Sequence, residues 1–196
     1  MAAGGAAVVL AALVLGLTAR ESKARAGQAV AGAAVLETES SAGPIEGGGG
    51  TPPDISKMTP RERFDRLYNR VMKAAETGDQ ATQERFGPMA LAAYRQLDPP
   101  DADARYHAAL LMLHGGQVPG AGALADTILA ADSTHLFGHL VRRSAARFRG
   151  DSAGVRQAEA AFLRHYDAEL KRNREEYGAH RRTLESTRQE LLGRRP

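Results

Sequence analysis

Two histidines with helical spacing are the first candidates for chemistry in this sequence. His135 and His139 lie four residues apart, which places both imidazoles on one face of a helix. Zinc needs more ligands than these two, and Asp132 is the only acid close to the pair. We therefore expect the start of a helix with two surface imidazoles here, and no metal site.

The other reactive residue types form no recognisable catalytic arrangement. The remaining four histidines have no triad spacing with a serine: His107, His114, His165 and His180. Glu175 and Glu176 are adjacent and therefore diverge on a helix, and the chain has no cysteine to act as nucleophile or thiolate ligand. The sequence predicts a protein that is not an enzyme and that uses no cofactor.

The C-terminal stretch is basic. Residues 171–196 contain eight Lys and Arg against four Glu. A solvated helix face with mixed ion pairs is the favoured interpretation, and contact with an acidic protein surface or anionic lipid is the alternative. Nucleic acid is not expected as a partner, because aromatic residues for base stacking are not interleaved with the cationic ones.

The elements that must position these residues are predicted to be helices. Aromatic residues make up 5% of the chain and tryptophan is absent, whereas alanine and glycine are abundant. Small residues allow helices to cross closely, while a β-sandwich would need more Val, Ile and Tyr. The composition therefore predicts an all-α fold.

Residues 1–18 resemble a membrane anchor. The uncharged run from Ala2 to Thr18 would span roughly 26 Å as a helix, just short of the ~30 Å hydrocarbon core. A cleaved signal peptide is the second interpretation, although no Lys or Arg precedes the run. A buried core helix is the third, and it is disfavoured because a terminal helix of this kind has no polar face.

Two features of the sequence give opposite indications of the side of the membrane on which the rest of the chain lies. Arg20, Lys23 and Arg25 come directly after the run, and the positive-inside rule keeps such a flank in the cytoplasm. An N-terminal apolar run, however, usually directs the export of the rest of its chain. We expect a single-pass protein whose folded part lies on the periplasmic or extracytoplasmic side.

Residues 19–56 are predicted to be a flexible linker. They are rich in Gly, Ala, Ser and Pro and include the run Gly47–Pro53, so they offer nothing that could bury a core. The four-glycine run is not a phosphate loop, because no Gly-Lys-Ser/Thr motif comes after it.

Residues 57–169 are predicted to be a helical domain, with helical spacing from Thr59 onward. Thr59, Pro60 and Glu62 have the pattern of a capping box with proline in the first turn. Gly78-Asp79 and Gly150-Asp151 have the pattern of turns, and Asp98-Pro99-Pro100 that of a helix stop.

The stretch 102–135 resembles a tetratricopeptide repeat, a pair of antiparallel helices. It is 34 residues long, has small residues at Ala108, Ala109 and Ala121, and has Gly116 at the turn. Arg105 and Ser133 depart from the family pattern, where Trp and Pro are common. Two looser units flank it, so the resemblance implies about three stacked helix pairs.

The resemblance also implies a binding groove lined by the first helix of each unit. Carried over by position, the groove residues are Tyr106, Leu110 and His114 in the second unit and Arg142 and Arg149 in the third. Tyr106 and Leu110 belong to the core instead if the register slips by one residue. The Asn and basic residues with which some family members clamp a terminal carboxylate have no match here.

Residues 170–196 are predicted to continue as a basic capping helix to about Leu192. Leu163, Leu170, Tyr177, Leu184 and Leu191 recur every seven residues, so a coiled-coil seam is the alternative. Taken together, the sequence predicts a non-catalytic scaffold or accessory subunit of a membrane complex. That protein would contact a protein partner through the repeats and lipid through residues 2–18. The alternative is a basic membrane-surface or nucleic-acid adaptor that acts through the C-terminal helix.

Overall fold

The computed structural model describes residues 57–193, and this part of the chain contains helices and no strand. The helices are α1 (Pro60–Thr77), α2 (Gln80–Tyr94), α3 (Ala102–His114), α4 (Val118–Ala131), α5 (Leu136–Phe148), α6 (Ser152–Lys171), α7 (Glu175–Ala179) and α8 (Arg181–Gly193). The predicted all-α class is therefore confirmed for these residues. The predicted anchor (1–18) and linker (19–56) lie outside the described residues. None of the helices between 57 and 193 is long and apolar enough to span a bilayer.

The first six helices form three pairs, and each pair turns at a glycine in the left-handed region. Gly78, Gly116 and Gly150 have φ angles of +70°, +72° and +68°, a conformation that side chains rarely adopt. An aspartate after two of these turns caps the next helix, since Asp79 accepts from the Thr82 amide and Asp151 from the Gly154 amide. The turns predicted at these glycines are confirmed.

The start of α1 has the predicted capping box. The Thr59 hydroxyl accepts from the Glu62 amide at 3.2 Å, and the Glu62 carboxylate accepts from the Thr59 amide at 2.8 Å. Pro60 occupies the first helical position, where its missing N–H costs nothing. Local interactions of this kind determine where α1 begins.

Helices α1, α3 and α5 form one layer, because α3 contacts both α1 and α5. Helices α2, α4 and α6 each pack on the helix before them. The crossings are lined with alanines that are completely buried: Ala90, Ala104, Ala108, Ala109, Ala121 and Ala125. Larger side chains such as Phe64 and Phe137 fill the remaining space and are also fully buried. The small residues permit the close approach that the composition predicted.

The end of the chain differs from the single capping helix that was predicted. The last helix of the third pair stops at Lys171, Asn173 adopts a positive φ of 49°, and the short α7 precedes α8. Tyr177, Leu184 and Leu191 are buried against the rest of the chain at 3%, 0% and 5% exposure. Those three residues cannot form a seam with a second chain in this conformation, so the coiled-coil alternative is not supported. We call residues 172–193 the C-terminal segment.

Candidate functional site

The C-terminal segment lies across the layer formed by α1, α3 and α5. The Tyr177 ring packs edge-on against Phe137 of α5, with ring centres 5.4 Å apart. The His180 ring meets the rings of Tyr106 in α3 and Phe137 at 5.4 and 5.1 Å. We call the surface of α3 and α5 that receives the segment, bordered by α1, the inner face.

A hydroxyl from the C-terminal segment also caps α5. The Leu136 amide, at the first position of that helix, donates to the Tyr177 hydroxyl at 2.9 Å. The first amides of a helix have no partner within the helix, so a side chain must satisfy them when they are buried. The His135 Nδ1 atom accepts from the next amide, that of Phe137, at 3.3 Å. The start of α5 therefore depends on the segment for one of its hydrogen bonds.

A buried carboxylate anchors the beginning of the segment. Glu169 is 2% exposed and accepts four hydrogen bonds, from Thr134 at 2.7 Å, Arg172 at 2.8 Å, Tyr177 at 2.8 Å and Arg174 at 3.3 Å. Burial alone would raise the pKa of Glu169, but the donors outweigh burial and lower the pKa below its usual value. The carboxylate therefore stays ionised and holds α6, α7 and the loop before α5 together.

The far end of the segment is held by a buried guanidinium. Arg143 of α5 is 7% exposed, and it donates to Glu159 of α6 at 2.9 Å and to Glu190 of α8 at 2.8 Å. A buried cation without a partner is costly, so Arg143 needs the carboxylates that α6 and α8 supply. The segment thus contributes a charge that the inner face requires.

Three side chains with metal-ligating atoms meet where the segment crosses α3. The His180 Nε2 atom lies 2.9 Å from the Asp103 Oδ1 atom and 3.1 Å from the His107 Nε2 atom. The third separation, from His107 Nε2 to Asp103 Oδ1, is 3.7 Å. We call Asp103, His107 and His180 the Asp-His-His cluster. Among the described residues it is the group of His, Cys, Asp and Glu side chains whose geometry suits a metal ion.

Burial and charge set the protonation of two members of the Asp-His-His cluster. Burial lowers the pKa of His107 to about 3, against the opposing attraction of Asp103. Burial would raise the pKa of Asp103, but the hydrogen bond from His180 and nearby positive charge outweigh it and leave the pKa at about 2. At neutral pH the cluster therefore contains an ionised carboxylate and a neutral His107 imidazole.

The surroundings of the cluster are acidic. A cavity of about 560 Å³ opens beside it, between α1, the start of α3 and α7. Five carboxylates and one guanidinium are among the lining groups: Asp65, Asp101, Asp103, Glu175, Glu176 and Arg61. Arg61 pairs with Asp65, Asp101 and the second oxygen of Asp103. The cavity therefore favours a cation over an anion.

The residues predicted to share one groove lie in three separate places. Tyr106 and Leu110 are 3% and 4% exposed, so both are core residues, as the alternative register predicted. Tyr106 stacks on Phe137 with ring centres 4.3 Å apart and is covered by the C-terminal segment. The predicted groove at these two positions is thus closed in this conformation, and their contact with a partner stays a prediction.

The other three predicted groove residues are more accessible. His114 is half-buried beside a cavity of about 620 Å³ between the ends of α1, α2 and α3. Arg142 and Arg149 are exposed and line a smaller cavity of about 300 Å³ between α4, α5 and α6. Arg142 pairs with Asp126 at 2.7 Å. A role of these residues in partner binding also stays a prediction.

The prediction that His135 and His139 are surface imidazoles is wrong. They are 2% and 6% exposed. His135 caps α5 through Nδ1, and its Nε2 atom lies 3.2 Å from a Glu176 oxygen. His139 stacks on His165 with ring centres 5.6 Å apart. The two imidazoles on one helical face serve capping and packing, because both point into the protein.

Sequence reasoning missed the Asp-His-His cluster, although half of its signal was present. Asp103 and His107 are four residues apart on a helix, the same spacing that drew attention to His135 and His139. The third member, His180, lies 73 residues beyond His107 along the chain, and only the packing of the C-terminal segment brings it to α3.

Comparison with known proteins gives no further guide to function. No family model, no curated protein and no solved structure matches this chain.

Proposed function

We propose that this chain is a non-catalytic scaffold or accessory subunit of a multi-subunit membrane complex, which binds a protein partner through its helical repeats. The inner face is the observation that supports this most, since it already holds a helical segment by hydrogen bonds, ring contacts and ion pairs. Helix-in-groove binding uses these same contacts between chains. In this proposal, residues 2–18 attach the protein to lipid.

The resemblance to tetratricopeptide repeats points to the same surface. In that family the first helix of each pair lines the groove, and here those helices are α1, α3 and α5. A partner helix that replaced the C-terminal segment would need a carboxylate for the buried Arg143 and a hydroxyl or carbonyl for the Leu136 amide. We therefore propose a helical partner segment that competes with residues 172–193.

The alternative, a basic adaptor for anionic lipid or nucleic acid, has less support. Arg172 and Arg174 pair with Asp132, Arg181 pairs with Glu185 at 2.8 Å, and Arg188 pairs with Asp167 at 3.2 Å. These pairs neutralise much of the positive charge that the described part of the basic stretch would otherwise present.

Affinity capture from detergent-solubilised membranes, with two leucine variants of one helix, tests the proposal. Leu184→Ala removes a fully buried side chain and loosens the segment, whereas Leu192→Ala removes a side chain that is 39% exposed on the same helix. We expect a partner protein to be enriched most by Leu184→Ala, and to be released by a synthetic peptide of residues 172–193.

Two results would count against the proposal. One is recovery of a monodisperse monomer with no partner enriched over the control by the wild type or either variant. The other is a captured protein that an excess of the peptide does not release, because such a protein does not compete for the inner face.

A further inference from the structure

The Asp-His-His cluster cannot be satisfied by hydrogen bonds alone. The Nε2 atom of His180 lies within hydrogen-bond distance of both the Asp103 carboxylate and the His107 Nε2 atom, but it carries at most one hydrogen. In every arrangement of neutral tautomers, one of these two contacts is therefore left without a hydrogen bond of its own, whereas a shared cation would satisfy both.

The separations within the cluster suit a shared cation. A tetrahedral ion about 2.0–2.1 Å from each donor holds its donors roughly 3.3 Å apart. The three observed separations of 2.9, 3.1 and 3.7 Å bracket that value. A point about 2 Å from all three donor atoms therefore exists without movement of the backbone.

The orientation of the imidazole rings supports the same conclusion. A ring nitrogen lies about 1.2 Å from its ring centre, so a straight N–H···N bond of the observed length would separate the centres by roughly 5.5 Å. The observed separation of the His107 and His180 ring centres is 5.0 Å. The two ring axes are thus bent away from a straight N–H···N line, and such a bend is compatible with two imidazoles that ligate one ion.

Several features around the cluster suit a metal site. Arg61 holds the second oxygen of Asp103, which leaves Oδ1 directed at the imidazoles. The cluster is mostly buried, with side-chain exposures of 15% for Asp103, 6% for His107 and 5% for His180. The adjoining acidic cavity offers room for a water molecule as a fourth ligand.

We propose that Asp103, His107 and His180 form a binding site for a divalent zinc ion, with three protein ligands and a water molecule directed at the cavity. Imidazole and carboxylate ligands in a tetrahedral arrangement are typical of zinc. Two ligands lie on α3 and the third joins α7 to α8, so the ion holds the C-terminal segment on the inner face. The site does not depend on the proposed function, since it would bind zinc whether or not a partner exists.

Zinc titration of the untagged, metal-stripped full chain tests the site. We expect calorimetry to show one zinc per chain, and zinc to raise the thermal unfolding temperature. His180→Gln should weaken zinc binding by more than about 100-fold, since the loss of supporting groups alone costs about 10–100-fold. His165→Gln is the matched control and should bind zinc as the wild type does, because His165 stacks on His139 away from the cluster.

A spectroscopic measurement on the wild type removes any dependence on folding of the variants. Cobalt substituted for zinc should give the intense visible absorption of a tetrahedral ion, and added zinc should abolish it. Absence of stoichiometric zinc binding by the wild type, or equally tight binding by a folded His180→Gln chain, would overturn the proposal.

Discussion

Removal of one hydroxyl should weaken the attachment of the C-terminal segment to the inner face. Tyr177→Phe keeps the ring that packs against Phe137 but deletes the group that accepts from the Leu136 amide at 2.9 Å and donates to Glu169 at 2.8 Å. The Leu136 amide, left buried without an acceptor, costs about 1–3 kcal/mol of stability, and the lost hydrogen bond to the Glu169 carboxylate adds to this cost. Glu169 keeps three other donors, so the second loss is partial.

We expect the free energy of unfolding to fall by about 2–3 kcal/mol in Tyr177→Phe, which for a chain of this size lowers the unfolding temperature by roughly 5–10 °C. Thermal and urea unfolding of the intact chain, monitored by circular dichroism, measures both quantities. Tyr94→Phe is the matched control, since the half-buried Tyr94 hydroxyl makes no hydrogen bond to any residue between 57 and 193. If Tyr177→Phe loses no more than Tyr94→Phe does, the hydroxyl does not cap α5 and the reasoning fails.

Three further predictions concern packing and protonation. Gly138→Ala should destabilise the chain by about 1–3 kcal/mol, because a Cβ there would lie 2.4 Å from the Cγ atom of Leu129. A urea unfolding midpoint at or above that of the wild type would contradict this. Gly122→Ala, in a helix with open space around it, should instead stabilise the chain by about 0.5–1 kcal/mol in the same titration. Burial lowers the pKa of His114 from 6.5 to about 4, so the unfolded chain takes up a proton there before the folded chain does. The contribution of His114 to stability is therefore complete above about pH 6.5 and falls by roughly 3 kcal/mol as the pH drops to 4. His114→Gln should remove this part of the decline, measured by urea unfolding between these two pH values.

Local features of the fold could be predicted because short-range rules determine them. The capping box at Thr59 and Glu62 involves residues three apart, and the turn at Gly150 needs a residue that tolerates a positive φ. Both are visible in the sequence without knowledge of the packing. The same holds for the helical character of the chain, which is evident from residue spacing and the abundance of alanine.

The C-terminal segment could not be predicted, because long-range packing overrides its local pattern. The seven-residue spacing of Tyr177, Leu184 and Leu191 suits a continuous helix, yet the chain breaks at Asn173 and again at His180. These breaks place Tyr177 against α5 and bury Leu184 and Leu191 in the core of the described residues, rather than along one helical stripe. The burial of Tyr106 has the same origin, since the segment covers it.

The Asp-His-His cluster could not be predicted from the sequence for the same reason. The pair Asp103 and His107 was visible in the sequence, but a ligand from residue 180 becomes relevant only when α7 reaches α3. The wrong prediction that His135 and His139 are surface imidazoles rested on spacing alone, which does not reveal whether a helical face is buried.

Amide hydrogen exchange of the intact chain tests the central claim, the seating of the C-terminal segment on the inner face, most directly. We predict that the amides of α8 and of Leu136 exchange as slowly as those in the middle of α3 and α5, and that Tyr177→Phe speeds them selectively. Exchange of the α8 amides at the rate of an unstructured chain, with α3 and α5 still protected, would contradict the claim.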